Sequence, residues 1–251
     1  MSGLLTNKVA IVTGGAGGIG SRIAKAYANQ GAKVVVASRS QEKLNKIAKE
    51  IEASGGEAFA ISTDVTVPQE VDHMVTKTIE RFGCVDILVN NSGGAMFIKS
   101  PNDLEPEEWD AAIGLNLSSV FFCSRAVSQH MIEKNSGKII NISSVAGMRL
   151  SPPFVHYGAA KAGVINLTKS LAVCWAPNNI NVNCIAPGLT ATEGVANWLP
   201  EKTKKDGTAV PPLLYPPNPE DVADLAIFLA SELSSHLSGE LFPIRSLTEL
   251  A

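Results

Sequence analysis

The sequence predicts an α/β fold, a single doubly wound domain of seven parallel strands with helices on both faces. Three observations carry this. Seven short runs rich in Val and Ile are bounded by Gly, Asn, Asp or Pro. The longer stretches between them repeat apolar residues every three or four positions, the period of a helix face. The runs are apolar throughout rather than alternating, as in strands covered on both sides. Regular strand–helix alternation is the pattern of a parallel sheet with crossover helices.

In chain order the strands are "VAIVT" (9–13), "KVVVAS" (33–38), "AFAIST" (58–63), "DILVNN" (86–91), "KIINIS" (138–143), "INVNCI" (180–185) and "ELFPI" (240–244). Helical spacing fills "SRIAKAYANQG", "QEKLNKIAKEIEASGG" and "PQEVDHMVTKTIERFG", which close on glycine as helix C-termini often do. No linker, repeat or low-complexity tract divides the chain, so residues 1–251 are expected to form one unit. One stretch breaks the rhythm: 189–218, "LTATEGVANWLPEKTKKDGTAVPPLLYPPN". A loop of that length within a compact domain is usually a functional lid or a poorly ordered segment, and it is expected to border the substrate.

Composition excludes several classes. The 251 residues are 45% apolar and 18% charged, as in a globular protein with a sizeable core. A net charge of −3 offers no nucleic-acid footprint. No apolar run reaches the roughly 18 residues of a membrane span. The N-terminus lacks the regions of a signal peptide, and the C-terminus is not a peroxisomal tripeptide. Cys84, Cys123, Cys174 and Cys184 have neither metal-ligand nor redox spacing, and the four histidines do not cluster. The expectation is a soluble cytoplasmic protein with reduced thiols and no metal.

Two motifs carry chemistry. "TGGAGGIG" (13–20) joins the first strand to the first helix, the context of a phosphate-cradling loop. Glycine permits φ > 0 and close approach, and the helix N-terminus offers unpaired N–H groups to a pyrophosphate. Five glycines in eight residues exceed what a plain turn needs. "YGAAK" (157–161) sets Tyr157 and Lys161 four positions apart, on one helix face. A phenol ionises near pH ~10, and a neighbouring cation favours the phenolate. The pair admits two readings, a proton donor tuned towards neutral pH or an ordinary amphipathic helix start.

The ordered set of motifs resembles the short-chain dehydrogenase/reductase family, in its form of about 250 residues, along nearly the whole chain. The family's Thr-Gly-x3-Gly-x-Gly matches Thr13, Gly14, Gly18 and Gly20, enclosing Ile19. Its Asp-Val matches Asp64 and Val65, its Asn-Asn-Ala-Gly is similar to "NNSG" with Asn91 and Gly93, and its helix asparagine matches Asn116. Its serine, thirteen residues before the tyrosine, matches Ser144, with Ser143 as an alternative; its Pro-Gly matches Pro187 and Gly188. The resemblance implies a Rossmann-type fold. It also implies an oxidoreductase in which Tyr157 gives a proton to a carbonyl oxygen while the cofactor gives a hydride. Lys161 would lower the tyrosine pKa and bind the nicotinamide ribose, Ser144 would hydrogen-bond the oxygen, and Asn116 would support a water chain. Asp64 and Val65 would hold adenine, and Thr190 or Thr192 the nicotinamide amide or pyrophosphate.

In Rossmann-type sites the end of the second strand selects the cofactor: an acid binds ribose hydroxyls, an arginine accommodates a 2′-phosphate. Here that end reads "VVVASRS", with Ser38 and Arg39, which predicts NADP(H), with NAD(H) as the alternative. Arg22 is a weaker phosphate candidate. The substrate walls should come from 93–100, 145–156 and 189–218, with Met96, Met148, Phe154 and Trp198 forming an apolar pocket for a small carbonyl or alcohol. His156 precedes the tyrosine but points away from it on a helix, so it is not assigned to catalysis. The chain departs from its relatives at Ala160 and at the C-terminus, where "GELFPIRSLTELA" replaces a strand ending in Val-Asp-Gly-Gly. A homo-oligomer, tetramer or dimer, is expected. The alternatives to an NADP(H)-dependent carbonyl reductase are an NAD-dependent alcohol dehydrogenase of the same family and a non-catalytic NADP-binding regulator.

Overall fold

The computed structural model describes residues 3–250; Met1, Ser2 and Ala251, the ends of the expected unit, lie outside the described residues. Seven strands form one sheet: β1 (Val9–Thr13), β2 (Lys33–Ser38), β3 (Glu57–Ser62), β4 (Ile87–Asn90), β5 (Gly137–Ile142), β6 (Ile180–Pro187) and β7 (Leu241–Ile244). Their spatial order is β3-β2-β1-β4-β5-β6-β7. Every pairing is parallel. The helices are α1 (Gly18–Asn29), α2 (Gln41–Ala53), α3 (Pro68–Phe82), α4 (Pro106–Ile113), α5 (Ser119–Lys134), α6 (Val155–Trp175) and α7 (Pro219–Ala230).

Alternation within each strand sends successive side chains to opposite faces. Ala10, Val12, Val34, Val36 and Val89 pack with Ile23 and Tyr27 of α1, Leu44 of α2 and Val222 of α7. Ile11, Val35, Leu88, Ile139 and Val182 pack with Met74 of α3, Val127 of α5 and Leu171 of α6. Both faces are therefore covered, which is why the strands read as unbroken apolar runs. Burying each such side chain contributes about 1.5–3 kcal/mol before entropy is counted.

The expected strands all form, with shifts at their ends that have local causes. β4 is shorter than its expected run because Asp86 and Asn91 have other duties. The Asp86 carboxylate accepts from Val9 N at 2.8 Å and pairs with Lys134 at 2.6 Å. Asn91 N instead donates to Thr13 Oγ1 of β1 at 3.0 Å. β6 extends through Pro187, and Pro243 is tolerated because β7 is an edge strand. The stretch Pro106–Lys134 is helical for 29 residues, long and apolar enough by length and composition to cross a membrane. It packs here against α3, α6, β4 and β5. It is interrupted by a π turn at Gly114–Ser118, a feature that often marks functional positions in helices. The 189–218 segment contains two short 3-10 turns, Glu193–Trp198 and Pro212–Leu214, and a single antiparallel bridge between Thr203 and Ala209.

The chain runs outward through β1, β2 and β3, then crosses back to place β4 beside β1. Ligands of open α/β sheets bind at the strand C-termini where the order reverses. That point lies between Thr13 and Asn90.

Candidate active site

The reversal point is stitched together by one hydroxyl. Thr13 Oγ1 donates to Val89 O at 3.2 Å and accepts from Asn91 N (3.0 Å) and Ser92 N (3.2 Å). Asn91 Nδ2 returns to the glycine loop, donating to Thr13 O at 3.1 Å and Gly14 O at 3.3 Å. Gly14 (φ 64°) and Gly18 (φ 53°) occupy the left-handed region, which only glycine enters cheaply. At Gly20 a Cβ would lie 2.3 Å from Gly14 O, so the loop folds onto α1 only without a side chain there. Gly17 leaves open space above the N-terminus of α1, a Cβ at Gly18 would meet only Thr192 Cγ2 at 3.8 Å, and no side chain caps that helix. Its first N–H groups are left for a ligand, the arrangement a pyrophosphate fits.

A cleft of roughly 390 Å³ opens at this point. Gly14, Gly18, Ile19, Asn91, Gly93, Ser144, Tyr157, Lys161, Pro187, Gly188, Thr190 and Thr192, each named from the sequence, all line it. Ser92, Leu189 and Val195 line it too and were not singled out from sequence. Leu189 and Val195 follow Pro187-Gly188 in the irregular 189–218 segment, where no periodicity tells which side chains turn inward.

The polar groups of the cleft are held by different elements. Asn116 sits in the π turn, fully buried, with Oδ1 accepting from Gly94 N at 2.9 Å and Nδ2 donating to Ala112 O at 3.0 Å. Gly93 is required beside it: a Cβ there would approach Asn116 Oδ1 to 2.6 Å and Lys161 Nζ to 3.1 Å. Lys161 is 3% exposed, and its Nζ donates to Ile142 O at 2.9 Å. Ser144 follows β5 and starts a short turn by accepting from Ala146 N at 3.2 Å. Ser144 also hydrogen-bonds Tyr157. Ser143, the alternative serine, is buried rather than outward-facing at the strand end. Its Oγ is committed to Lys161 O at 2.7 Å and its N to Ile185 O at 2.8 Å. That geometry favours Ser144 as the serine free to act.

The electrostatics of the pair run the other way from the simple picture of a cation lowering a phenol, because Lys161 is not among the groups that act on the tyrosine. Burial pushes the Tyr157 hydroxyl above its usual value, and only the Ser144 hydrogen bond opposes this. Burial pushes Lys161 down to about 8, with the Cys184 thiol opposing. The two side chains do meet across one helical turn, with Lys161 Nζ 5.6 Å from the Tyr157 ring centre, but the ammonium is turned to the Ile142 carbonyl.

Other predicted residues stand outside the cleft. Arg39 is exposed at the β2–α2 turn, where Ser38 Oγ accepts from Ser40 N at 3.4 Å and Ser40 caps α2 through Lys43 N. Asp64 accepts from Thr66 N at 2.9 Å and from the Thr66 hydroxyl at 2.6 Å; the latter bond is the main reason its carboxyl is held below its usual value. Val65, ahead of α3, is buried in the apolar cluster that includes Val71 and Met74 of α3. Arg22 is paired with Glu220 at 3.2 Å. Met96, Met148 and Trp198 are exposed and Phe154 is half-buried; none of the four lines the cleft. His156 is buried and tilted against Phe97, ring centres 5.8 Å apart, with Nε2 lacking a hydrogen-bond partner.

The sequence profile described as short chain dehydrogenase matches residues 8–203. The chain belongs to the short-chain dehydrogenase family. It is 40% identical over 245 residues to a 3-oxoacyl-[acyl-carrier-protein] reductase of Synechocystis sp., covering 96% of each chain. A 7alpha-hydroxysteroid dehydrogenase of Bacteroides fragilis is 36% identical over 236 residues, covering 93% of this chain and 91% of its own. Among solved structures, a 7α-hydroxysteroid dehydrogenase complexed with NADH and 7-oxo glycochenodeoxycholic acid superposes with a TM-score of 0.89. It is 33% identical, over 98% of this chain and 96% of that one. Membership makes this short-chain dehydrogenase an NAD(P)-dependent oxidoreductase acting between CH–OH and C=O groups.

Proposed function

We propose that this short-chain dehydrogenase transfers hydride between NADP(H) and a ketone–secondary alcohol pair, with Tyr157 as general acid and base. What supports this most is the convergence of Ser144, Tyr157, Lys161 and Asn116 beside the glycine loop, in one cleft or against its wall. When bound, the nicotinamide supplies or accepts the hydride. The chain's own residues do the rest. Gly14, Gly18, Ile19 and Gly20 hold the pyrophosphate on the N-terminus of α1, with Thr190 and Thr192 opposite. Asn91, Gly93, Pro187 and Gly188 shape the walls, and Asp64 would hold the adenine end, with Val65, whose side chain is in the core, offering only its backbone.

In reduction the Tyr157 hydroxyl donates its proton to the carbonyl oxygen as negative charge builds there. The Ser144 hydroxyl donates to the same oxygen; a preorganised donor of this kind contributes about 2.7–4 kcal/mol to a transition state. Lys161 Nζ spends one N–H on Ile142 O and keeps two for the ribose and Tyr157. Asn116, fixed by Gly94 and Ala112, steadies the path by which the tyrosine regains its proton. A non-catalytic binding role has no use for all four groups.

NADP(H) is the favoured cofactor because Ser38 stands where a carboxylate would repel the 2′-phosphate and Arg39 follows it. Asp64 lies close enough to Arg39 to feel its charge, and this competition keeps NAD(H) as the second reading. The relatives point to 3-oxoacyl thioesters or hydroxysteroids as substrate class, with the 189–218 segment as one wall of the pocket. The deciding experiment is NADPH and NADH consumption by the purified protein against 3-oxoacyl thioesters, oxosteroids, cyclic diketones and simple ketones. Turnover of one class with NADPH supports the reading; tight NADPH binding with no turnover of any class favours the regulatory alternative.

A further inference from the structure

Beneath the cleft the sheet carries polar side chains where its neighbours are Val, Ile and Leu. Asn90 of β4 and Asn141 of β5 are register partners, and both are buried. Asn90 Nδ2 donates to Asn141 Oδ1 at 2.9 Å and to Ser124 Oγ of α5 at 3.0 Å. Asn141 Nδ2 donates in turn to Thr168 Oγ1 of α6 at 2.9 Å, and that hydroxyl donates to Val164 O at 2.8 Å. Asn90 Oδ1 is buried with no partner. Burying amides costs free energy even when they are bonded, and an unpaired carbonyl adds to the cost. An apolar pair would hold these layers together at least as well, so stability does not account for the row.

Its position does. Asn141 lies three residues before Ser144, and Thr168 lies seven residues after Lys161, two turns further along the same helix face. α6 is already tied to β5 at Lys161, through Nζ to Ile142 O (2.9 Å) and through Lys161 O from Ser143 Oγ (2.7 Å). Both of these ties sit at one residue, so further along α6 the register with β5 is held by apolar packing, which has no directional preference, unless another polar tie is made. A third tie about 10 Å along the axis removes both tilt and slide. We infer that Asn141 and Thr168 are positioning residues, whose hydrogen bond locks α6 in register with β5 and so sets the spacing of Ser144, Tyr157 and Lys161. The inference rests on the catalytic roles proposed above for those three.

The test compares Thr168→Val, which removes the hydroxyl at constant volume, with Thr168→Ser, which keeps it. Thr168→Ala serves if the valine variant does not fold. With NADPH and the substrate the wild type prefers, Thr168→Val should lower kcat about tenfold, since small misplacements remote from the chemistry act on the reacting geometry. KM and the NADPH dissociation constant should stay within about twofold, and Thr168→Ser should restore kcat to a similar margin. The titration of Lys161, followed by its 13Cε NMR signal, should shift in Thr168→Val and not in Thr168→Ser. A lowered melting temperature with unchanged kcat and unchanged Lys161 titration would overturn the inference, leaving a purely structural bond. The NMR readout does not depend on turnover: should Tyr157→Phe prove fully active, the catalytic reading would fall while the register claim would still be decided by Lys161.

Discussion

At the residue scale, the site is a contest between burial and pairing. Burial wins at both members of the Tyr157–Lys161 pair: it raises the tyrosine and lowers the lysine to about 8. The sign of the pH dependence follows. A raised tyrosine stays protonated through neutral pH, so it is ready as an acid for carbonyl reduction and unready as a base for alcohol oxidation. Reduction should therefore be flat across neutral pH and fall once Lys161 loses its charge above about 8. Oxidation should rise over the same range, and pH–rate profiles in both directions check this. Arg39 carries the second prediction at this scale. Arg39→Asp should shift preference from NADPH towards NADH by at least about tenfold, because a bidentate cation is exchanged for a repelling carboxylate. Unchanged relative affinities would remove Arg39 from the site. Spacing set Tyr157 and Lys161 on one helix face but left their role open; the family resemblance is what singled them out together with Ser144. The direction of the tyrosine shift was not legible, because sequence shows a neighbouring charge and does not show how deeply both groups are buried.

At the element scale, short loops between strand and helix do most of the positioning. The glycine loop was legible because its geometry demands a residue type: Gly14 and Gly18 lie at positive φ, and Gly20 packs directly on Gly14 O. Gly20→Ala should lose cofactor binding and destabilise the protein by about 1–3 kcal/mol, the range for forcing extra atoms into packed structure. A calorimetric titration and a melting curve measure both, and an alanine variant that binds NADPH normally would show that the loop can adjust. The π turn at Gly114–Ser118 was not legible, since its residues continue the apolar pattern of α4 and α5. Nor was the inward turn of Leu189 and Val195, because 3-10 turns in a proline-rich segment carry no period to read. That Met96, Met148, Phe154 and Trp198 do not line the cleft was hidden for the same reason: residue type marks a loop side chain as apolar and says nothing of its direction.

At the scale of the whole molecule, seven runs of Val and Ile sufficed for the sheet, because strands buried on both faces announce themselves by continuous apolarity. The order of the strands follows from right-handed crossovers and a single reversal, which places the cleft at the ends of β1 and β4. Association is a different matter. Trp109 of α4, Phe121 of α5 and Val173 of α6 are exposed apolar side chains on neighbouring helices, the kind of feature that association covers. Light scattering should give a mass at least twice the 26.4 kDa of one chain, and a monomer at micromolar concentration would contradict the homo-oligomer expected from the family resemblance.

The central claim is that Tyr157 moves the proton while the rest of the cleft holds the cofactor. Its most direct test is Tyr157→Phe, assayed for NADPH binding by fluorescence and for turnover on whichever carbonyl the wild type reduces. Binding within about twofold of wild type and turnover lowered roughly 10²–10⁴-fold, the usual contribution of a general acid, are the predicted results. Turnover close to that of the wild type would contradict the account.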